Sequence, residues 1–412
     1  MQSIRGFKDL LDEQGGLYER VLTTCSNAAK SYGYSFINLP HLEYSSLFRR
    51  SVGESSDIVG KEMYEFLDKS NDLVCLRPEG TAGAVRAYIE HKFDKAKAKK
   101  RWFYHGSMFR YERPQKGRLR EFHQFGVECF GEESFYEDAK IICMLSLILK
   151  ELDISASLRI NNLGDAQSMA KYKALLKDFA FSKALCEDCN RRLGLNPLRV
   201  LDCKNEACQE QLQKAPKMSS SIEANCAREH EELLDLLSKA GISFVKDESL
   251  VRGLDYYCKC AFEFESSAIG AKAAIAGGGR YDRLVEYLGG KPSFGVGFAI
   301  GLERLMLAAL AAADCGQVPL KREGAMLCAL DHKYLADLFL LHEELRGEKL
   351  LMQNEARKLN KAMQEADKQG FSYLVALGEE EHKNGFYFVK DLENGSNLKL
   401  KKDELKLLLQ AR

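Results

Sequence analysis

Two strand-like segments separated by a charged connection constrain the fold of this chain more than any other feature. Residues 102–111 (WFYHGSMFRY) and 122–130 (FHQFGVECF) are rich in aromatic residues, which favour strands. The segment between them, ERPQKGRLRE (112–121), contains four arginines and lysines. The pattern predicts a long antiparallel hairpin, and its loop exceeds the roughly 2–5 residues of most hairpin loops. A long charged loop of this kind is a candidate functional site.

The second strand is predicted to have two chemically different faces, because alternate residues point to opposite sides of a sheet. Gln124 and Glu128 flank Gly126 on one face, whereas the other face is apolar. A ligand could approach the backbone at Gly126, between an amide and a carboxylate. Arg110 on the partner strand could grip a carboxylate or phosphate in a bidentate way. From periodicity alone, a surface ladder of ion pairs explains the pattern equally well.

The remaining sequence predicts an α+β protein with an inserted helical segment. Helical and strand-like patterns are mixed over residues 1–164, and strand-like sequence returns over 247–316. Residues 165–246 are rich in Ala, Leu, Lys and Glu at helical spacing, which indicates a helical insertion domain. A linker at 317–324 precedes a last domain, 325–412, in which strands and helices alternate.

Composition argues against a membrane-spanning chain and gives no sign of a nucleic-acid partner. No apolar run approaches the roughly 18 residues that a membrane span needs. The N-terminus, MQSIRGFKDLLDEQ, lacks the apolar stretch of a signal peptide, so a cytoplasmic location is the default expectation. Lys and Arg total 60, as do Asp and Glu, so no basic excess points to RNA or DNA.

The chain contains 13 cysteines, and in a cytoplasmic protein we expect them to be reduced. Four of them stand close in sequence within the helical insertion, as Cys186-x-x-Cys189 and Cys203-x4-Cys208. Four thiolates can bind zinc tetrahedrally. The spacing of the second pair is loose, however, so we expect buried free thiols and no metal ion.

Three shorter words contain further candidate residues. RPEGT (77–81) places Glu79 before a helix that Thr81 could cap, which would be ordinary helix-capping chemistry. VRGLDYY (251–257) places an arginine, an aspartate and two tyrosines around a glycine. AGGGRYD (276–282) allows tight turns and a close approach to the backbone, but it does not match a P-loop. Each word is weak alone, whereas their joint occurrence in this order is informative.

In this order, the words resemble the class II aminoacyl-tRNA synthetases, and specifically the bacterial-type histidyl-tRNA synthetases. Residues 109–128 are similar to motif 2 of that class, 297–305 to motif 3, and 34–44, around Pro40, to the less distinctive motif 1. LVRGLDYY (250–257) and AIAGGGRYD (274–282) resemble words of the histidine enzymes. The resemblance covers nearly the whole chain.

The resemblance implies a class II fold, an antiparallel sheet of six or more strands flanked by helices. It implies that L-histidine is activated with ATP to histidyl-adenylate and pyrophosphate, and that histidine is then transferred to the terminal adenosine of tRNA(His). Mg²⁺ on the ATP phosphates and a homodimer are also implied. Residues 325–412 resemble an anticodon-binding domain, although their 14 Lys and Arg against 15 Asp and Glu would not have indicated RNA binding.

The resemblance also assigns roles to individual residues. The implied histidine-binding residues are Glu79, Gly80, Thr81, Arg110, Gln124, Glu128, Arg252, Tyr256 and Tyr257. The implied ATP-binding residues are Arg110, Glu112 and Arg304. The implied tRNA-binding residues are Gln115, Lys116, Arg118 and Arg120. Among these residues, Arg110 and Arg252 would act in catalysis at the α-phosphate, and Glu128 with Tyr257 would recognise the imidazole ring.

Three alternatives come from other classes of protein. The regulatory subunit of ATP phosphoribosyltransferase resembles the same core but aminoacylates nothing, and it lacks the C-terminal domain. Another class IIa synthetase, such as the threonine, proline or glycine enzyme, is disfavoured by VRGLDYY and Glu128. A plain RNA-binding protein is disfavoured by the complete set of three arginines, Arg110, Arg252 and Arg304.

Overall fold

A computed structural model of the chain describes residues 1–53, 56, 58–115, 117–201, 203, 205–251, 256–270, 273–313, 322–346 and 349–410. The chain divides into two compact units, residues 1–318 and 319–412. Two of the candidate residues, Arg252 and Lys116, lie outside the described residues, as does Asp255 of the VRGLDYY word.

The first unit is built on one large and one small sheet. Its strands are β1 (Ser35–Phe36), β2 (Leu42–Tyr44), β3 (Tyr64–Leu67), β4 (Leu73–Leu76), β5 (Lys100–Phe109), β6 (Glu121–Phe130), β7 (Ser157–Asn162), β8 (Phe244–Lys246), β9 (Cys258–Ser266), β10 (Ala273–Arg280) and β11 (Gly295–Gly301). The large sheet has the order β1-β5-β6-β11-β10-β9-β7-β8, and the small sheet has the order β2-β4-β3.

The large sheet is antiparallel except at its two edges, where β1 pairs with β5 and β8 pairs with β7 in parallel. The expected α+β class, with an antiparallel sheet of six or more strands, is therefore confirmed. The predicted hairpin forms β5 and β6, which pair over their full length from Lys100 opposite Phe130 to Phe109 opposite Glu121.

Helices of the first unit lie between and after these strands. They are α1 (Asp12–Ser31), α2 (Ser45–Val52), α3 (Thr81–Glu90), α4 (Phe135–Glu151), α5 (Ala166–Phe181), α6 (Glu187–Leu195), α7 (Glu206–Leu212), α8 (Ala224–Lys239), α9 (Leu284–Tyr287) and α10 (Leu302–Ala312). The inserted stretch between β7 and β8 contains only helices and turns among its described residues, as its composition predicts.

One face of the large sheet is buried under helices. Phe125 and Val127 of β6 belong to a single apolar core with Val21 of α1, Leu145 of α4 and Leu305 of α10. Full burial of each such side chain stabilises the fold by roughly 1.5–3 kcal/mol. Phe125 and Val127 therefore face this core, and the residues that alternate with them along β6 point to the opposite face of the sheet.

The second unit is a small α/β domain. It contains β12 (Ala325–Ala329), β13 (Leu350–Met352), β14 (Tyr373–Leu377), β15 (Tyr387–Asp391) and β16 (Asn397–Leu400), in the sheet order β13-β12-β14-β15-β16. Its helices are α11 (Leu335–Glu344), α12 (Leu359–Lys368), α13 (Glu379–Asn384) and α14 (Lys402–Gln410).

In the part of the chain that the structure describes, no helix combines the length and the apolar character needed to cross a bilayer.

Two glycines create the space for one buried aromatic ring. Tyr104 of β5 lies opposite Gly126 of β6 and is 1% exposed. A Cβ atom at Gly126 would lie 2.1 Å from Cζ of Tyr104, and one at Gly80 would lie 2.1 Å from its Cε2. Both contacts are far closer than real side-chain carbons allow. The ring of Tyr104 therefore fits only because Gly80 and Gly126 have no side chain.

We therefore expect Gly126→Ala to destabilise the chain by about 1–3 kcal/mol, because the added methyl group must displace a fully buried ring. Gly16→Ala is the matched control, since Gly16 lies in α1 and nothing is within 4 Å of its added Cβ. That substitution should be neutral or stabilise by up to about 1 kcal/mol. The denaturation midpoints of both variants test this, and equal midpoints would contradict the steric account of Tyr104.

Candidate functional site

A cavity of about 430 Å³ lies against the face of the large sheet that carries Gln124 of β6. Its floor is formed by neighbouring strands in register: Gln124 lies opposite Gly301, Ala299 lies opposite Gly277, and Gly277 lies opposite Glu263. Because alanine and glycine occupy the middle of this floor, a ligand can approach the backbone closely. Charged and polar side chains surround this small-residue floor.

Glu79 supplies the carboxylate at one end of the cavity. Its side chain is 4% exposed and accepts hydrogen bonds from the backbone N–H groups of Thr81 (2.6 Å) and Ala82 (2.9 Å) at the start of α3. Burial raises the pKa of Glu79, and those N–H donors oppose that rise. Glu79 therefore caps α3, which differs from the expectation that Thr81 would be the cap.

Thr81 does not cap the helix because its hydroxyl group is used elsewhere. Its Oγ1 donates to Oε1 of Glu128 at 2.7 Å. Glu128 is 1% exposed and also accepts hydrogen bonds from the hydroxyl groups of Tyr104 (3.1 Å) and Tyr281. Burial raises the pKa of Glu128 to about 8, against the lowering effect of the hydroxyl donors. The protonated form of this side chain is therefore favoured relative to an exposed glutamate.

Two polar atoms at the cavity have no hydrogen-bond partner among the described residues. They are Oε1 of Gln124 and the hydroxyl oxygen of Tyr256, and both are buried. Gln124 and Tyr256 line the cavity, together with Tyr257. An unsatisfied buried polar group costs about 1–3 kcal/mol. These two atoms are therefore suited to a ligand that supplies the missing partners.

Two arginines bring positive charge to the cavity. Nε of Arg110 donates to the backbone oxygen of Pro78 (2.9 Å), its guanidinium lies 5.1 Å from the ring of Phe122, and Glu112 is 3.9 Å away. Arg304, near the start of α10, donates to the backbone oxygens of Gly117 (3.3 Å) and Ala274 (2.7 Å).

Burial lowers the pKa of both guanidinium groups. Both groups hydrogen-bond to uncharged backbone oxygens, Glu112 lies 3.9 Å from Arg110, and neither guanidinium loses its proton at physiological pH. The cavity is therefore electrostatically prepared for an anion such as a phosphate or a carboxylate.

The charged loop between β5 and β6 closes one side of the cavity. Gln115 and Arg118 form an isolated bridge, with backbone N–H to O distances of 3.0 and 2.9 Å. Arg118 donates to Oε2 of Glu112 (3.4 Å), and both side chains line the cavity. Arg120 instead lies with its guanidinium 3.8 Å from the ring centre of Tyr111.

Most of the candidate residues come together here. Those lining the cavity are Glu79, Thr81, Arg110, Glu112, Arg118, Gln124, Tyr256, Tyr257 and Arg304. Glu128 lies beneath Thr81 and does not itself line the cavity, and Gly80 lies against the ring of Tyr104. Gln115 and Arg120 belong to the loop but not to the cavity wall.

Sequence reasoning missed three contributors to the site. Tyr104 and Tyr281 hold Glu128, and Glu263 adds a carboxylate to the floor. The register of the hairpin could have indicated Tyr104, since it is directly opposite Gly126. Tyr281 stands in the AGGGRYD word, but nothing in that word indicates a partner in β6.

Comparisons with known proteins identify the family. A model of the histidyl-tRNA synthetase family matches residues 6–305, and a model of the anticodon-binding domain matches residues 325–412. A histidine–tRNA ligase of Campylobacter lari is 56% identical over 403 residues, covering 97% of this chain and 98% of that protein. One of Campylobacter jejuni is 55% identical over 411 residues, covering 99% of this chain and all of its own length.

A solved structure leads to the same family. Apo histidyl-tRNA synthetase of S. aureus has a TM-score of 0.80 at 30% identity, and the match covers all of both chains. The chain therefore belongs to the histidyl-tRNA synthetase family and is an aminoacyl-tRNA ligase that charges tRNA with histidine. The resemblance read from the sequence words is confirmed.

The raised pKa of Glu128 makes stability depend on pH in a definite direction. The folded chain keeps this proton up to a pH of about 8, whereas the unfolded chain releases it near pH 4.5. Stability contributed by this group therefore falls as pH rises between those values, by at most about 1.4 kcal/mol per pH unit.

Glu128→Gln removes the titration and retains a side-chain oxygen that accepts hydrogen bonds. We expect its melting temperature, relative to that of the unsubstituted chain, to rise steadily between pH 5.5 and pH 8. Glu19→Gln, at an exposed position of α1, controls for the loss of a carboxylate. A constant difference across this pH range would show that Glu128 is ionised in the folded chain.

Proposed function

We propose that the cavity described above is the site at which L-histidine and ATP react to form histidyl-adenylate, with the residue roles given below. One observation carries this proposal. Two partly buried arginines that donate hydrogen bonds to backbone oxygens face the same cavity as two buried polar atoms that have no hydrogen-bond partner among the described residues. Such a site is completed by a ligand that has both phosphates and polar groups.

Histidine is bound at the end of the cavity near α3. The carboxylate of Glu79 and Oε1 of Gln124 accept hydrogen bonds from its α-ammonium group, with Gly80 and Thr81 shaping that end. Tyr256 and Tyr257 lie beside the imidazole ring, and Glu128 recognises the ring from below. Thr81 donates to Oε1 of Glu128, so it can also link the ring site to this carboxyl group.

The imidazole site explains how other amino acids are rejected. An apolar side chain of similar size would leave the buried hydroxyl group of Tyr256 without a partner, which discriminates strongly between substrates. The raised pKa of Glu128 favours its protonated form, which fits a neutral imidazole ring, because a neutral carboxyl group can donate to one ring nitrogen.

ATP is bound between Arg110 and Arg304. A carboxylate oxygen of histidine attacks the α-phosphorus, a new P–O bond forms, and the bond to the bridging oxygen breaks as pyrophosphate leaves. Negative charge spreads over the phosphoryl oxygens in this step, and positioned cations supply most of the catalysis in such transfers. Arg110 neutralises the two anions where they meet, Arg304 holds the triphosphate, and Glu112 lies near the nucleoside.

Arg252 is the second arginine proposed to act at the α-phosphate, opposite Arg110. It lies outside the described residues, so its role rests on the resemblance of VRGLDYY to the words of the family. The cavity floor also fits Mg²⁺, since Glu263 offers the oxygen ligands that this ion prefers beside nucleotide phosphates. When bound, Mg²⁺ would neutralise phosphate charge.

The tRNA is proposed to bind to both units. Gln115, Lys116, Arg118 and Arg120 of the loop would contact the acceptor end, where basic side chains position a phosphate backbone. The terminal adenosine hydroxyl then attacks the carbonyl carbon of the adenylate. Its proton passes to a phosphate oxygen of the adenylate, an ester bond forms, and the bond from the carbonyl carbon to the phosphate oxygen breaks as AMP leaves. Residues 325–412 would bind the anticodon. We further propose a cytoplasmic homodimer, on the basis of the family resemblance around residues 34–44.

Exchange of labelled pyrophosphate into ATP tests the activation step without tRNA. We expect exchange to require histidine among the twenty amino acids. Arg304→Ala should raise the KM for ATP by roughly tenfold to 100-fold, since hydrogen bonds to charged groups contribute about 1.5–3 kcal/mol. Gln124→Ala should instead raise the KM for histidine, because the amide is placed at the amino acid.

Arg228→Ala is the matched control, because Arg228 is an exposed arginine of α8 remote from the residues that line the cavity. If Arg304→Ala and Gln124→Ala changed both KM values equally, the separate positions given to ATP and histidine would be wrong.

Arg252→Ala should abolish adenylate formation and leave histidine binding largely in place. Calorimetric titration with histidine and pyrophosphate exchange separate these two effects. Near-normal turnover in this variant would exclude Arg252 from catalysis. The absence of exchange with every amino acid in the unsubstituted chain would instead favour a sensing role for the histidine site.

A further inference from the structure

We propose that Cys186, Cys189, Cys203 and Cys208 bind one zinc ion, which holds the helical insertion in its folded form. This site is separate from the cavity, and no step proposed for the ligase reaction uses it. Sequence spacing favoured free thiols at these positions. The arrangement of the four sulfur atoms in the fold points to a metal site instead.

The four sulfur atoms converge on one point. All four Sγ atoms lie within 4.8 Å of one another, and Cys186 and Cys203 are 3.9 Å apart. Zinc–sulfur bonds of about 2.3 Å in a tetrahedron place the sulfur atoms roughly 3.8 Å apart. Among the residues that the structure describes, no other group of three or more His, Cys, Asp or Glu side chains converges in this way.

The loose spacing of the second cysteine pair is compensated by local structure. Cys186 is the residue immediately before α6, so the first turn of this helix brings Cys189 back to the same side. Cys208 lies in the first turn of α7, and Cys203 lies two residues before Asn205, the N-cap of that helix. The start of each helix thus holds one pair of thiols. The four residues between Cys203 and Cys208 still allow the second pair to reach the same point as the first.

Backbone N–H groups are directed at the sulfur atoms. The N–H of Cys186 donates to Sγ of Cys208 (3.1 Å), and the N–H of Asn205 donates to Sγ of Cys203 (3.4 Å). Hydrogen bonds of this kind stabilise the negative charge of thiolates that bind a metal ion. Four thiolates around one Zn²⁺ give a closed structural site, and binding releases the thiol protons to solvent.

The insertion has a small core of its own that a metal ion would strengthen. Cys189, Cys203 and Cys208 belong to a cluster that also contains Leu176 and Val200 and is separate from the core under the large sheet. Helices α6 and α7 are only 9 and 7 residues long. Helices shorter than roughly 12–15 residues are marginal alone, so a small region of this kind gains much from a structural metal.

The surroundings of the sulfur atoms favour a metal over disulfides. The sulfur atoms of Cys186 and Cys203 are 3.9 Å apart, well beyond the bond length of about 2.05 Å, and all described cysteines are free. Three of the four side chains are buried, while Cys186 is half-buried, so an ion can enter from one side. In a reducing compartment clustered thiols do not remain as disulfides, so metal binding is the expected use of this cluster.

Metal analysis of the full chain tests this proposal. We expect the protein, purified under reducing conditions from zinc-supplemented cells, to contain about one zinc per chain by mass spectrometry. Cys189→Ser and Cys208→Ser should each lose most of it. Cys143→Ser is the matched control, since Cys143 is a half-buried free thiol of α4 outside the cluster, and its zinc content should be unchanged.

A second measurement covers the case in which the serine variants do not fold. Chelation of the unsubstituted chain should increase hydrogen exchange within residues 166–212 and leave β5 and β6 protected. Substitution with Co²⁺ should produce thiolate-to-metal charge-transfer absorption. Less than a tenth of a zinc per chain, with no uptake of Zn²⁺ or Co²⁺ by the reduced protein, would overturn the proposal. So would iron in place of zinc, or disulfides within the cluster.

Discussion

The buried carboxyl group of Glu128 is the interaction on which the rest of the site depends. It links four separate parts of the chain, because β6 supplies the carboxyl group and the three hydroxyl donors come from α3, β5 and the segment after β10. Oε2 of Glu128 accepts from Tyr281, and Oε1 accepts from both Thr81 and Tyr104, so these hydrogen bonds hold the four parts in one relative position. Glu79, Gln124 and Tyr256 therefore face the same cavity.

The arrangement requires small residues around large ones. Gly126 and Gly80 leave room for the ring of Tyr104, and Gly297 leaves room for Glu128 itself, since a Cβ atom there would lie 2.1 Å from Oε2. Gly277 and Ala299, which also have little or no side chain, leave space for the cavity above the sheet. Small residues in the strands therefore make room both for the carboxyl group of Glu128 and for a ligand.

The two proposed sites use charge in opposite ways. At the cavity, guanidinium groups are held by backbone oxygens and keep their positive charge available for phosphates. In the insertion, backbone N–H groups point at sulfur atoms and favour negative charge that a cation can neutralise. The first arrangement suits a ligand that arrives and leaves, whereas the second suits an ion that remains bound.

The sequence by itself determined the family, the β5–β6 hairpin and the face of β6 that carries Gln124 and Glu128, because strand alternation is a local property. Only the tertiary structure decided which partners these residues have. Thr81 donates to Glu128 across 47 residues and Tyr281 across 153, and four cysteines converge through the starts of two helices. Spacing along a chain does not encode such contacts, since they depend on how separate elements pack against one another.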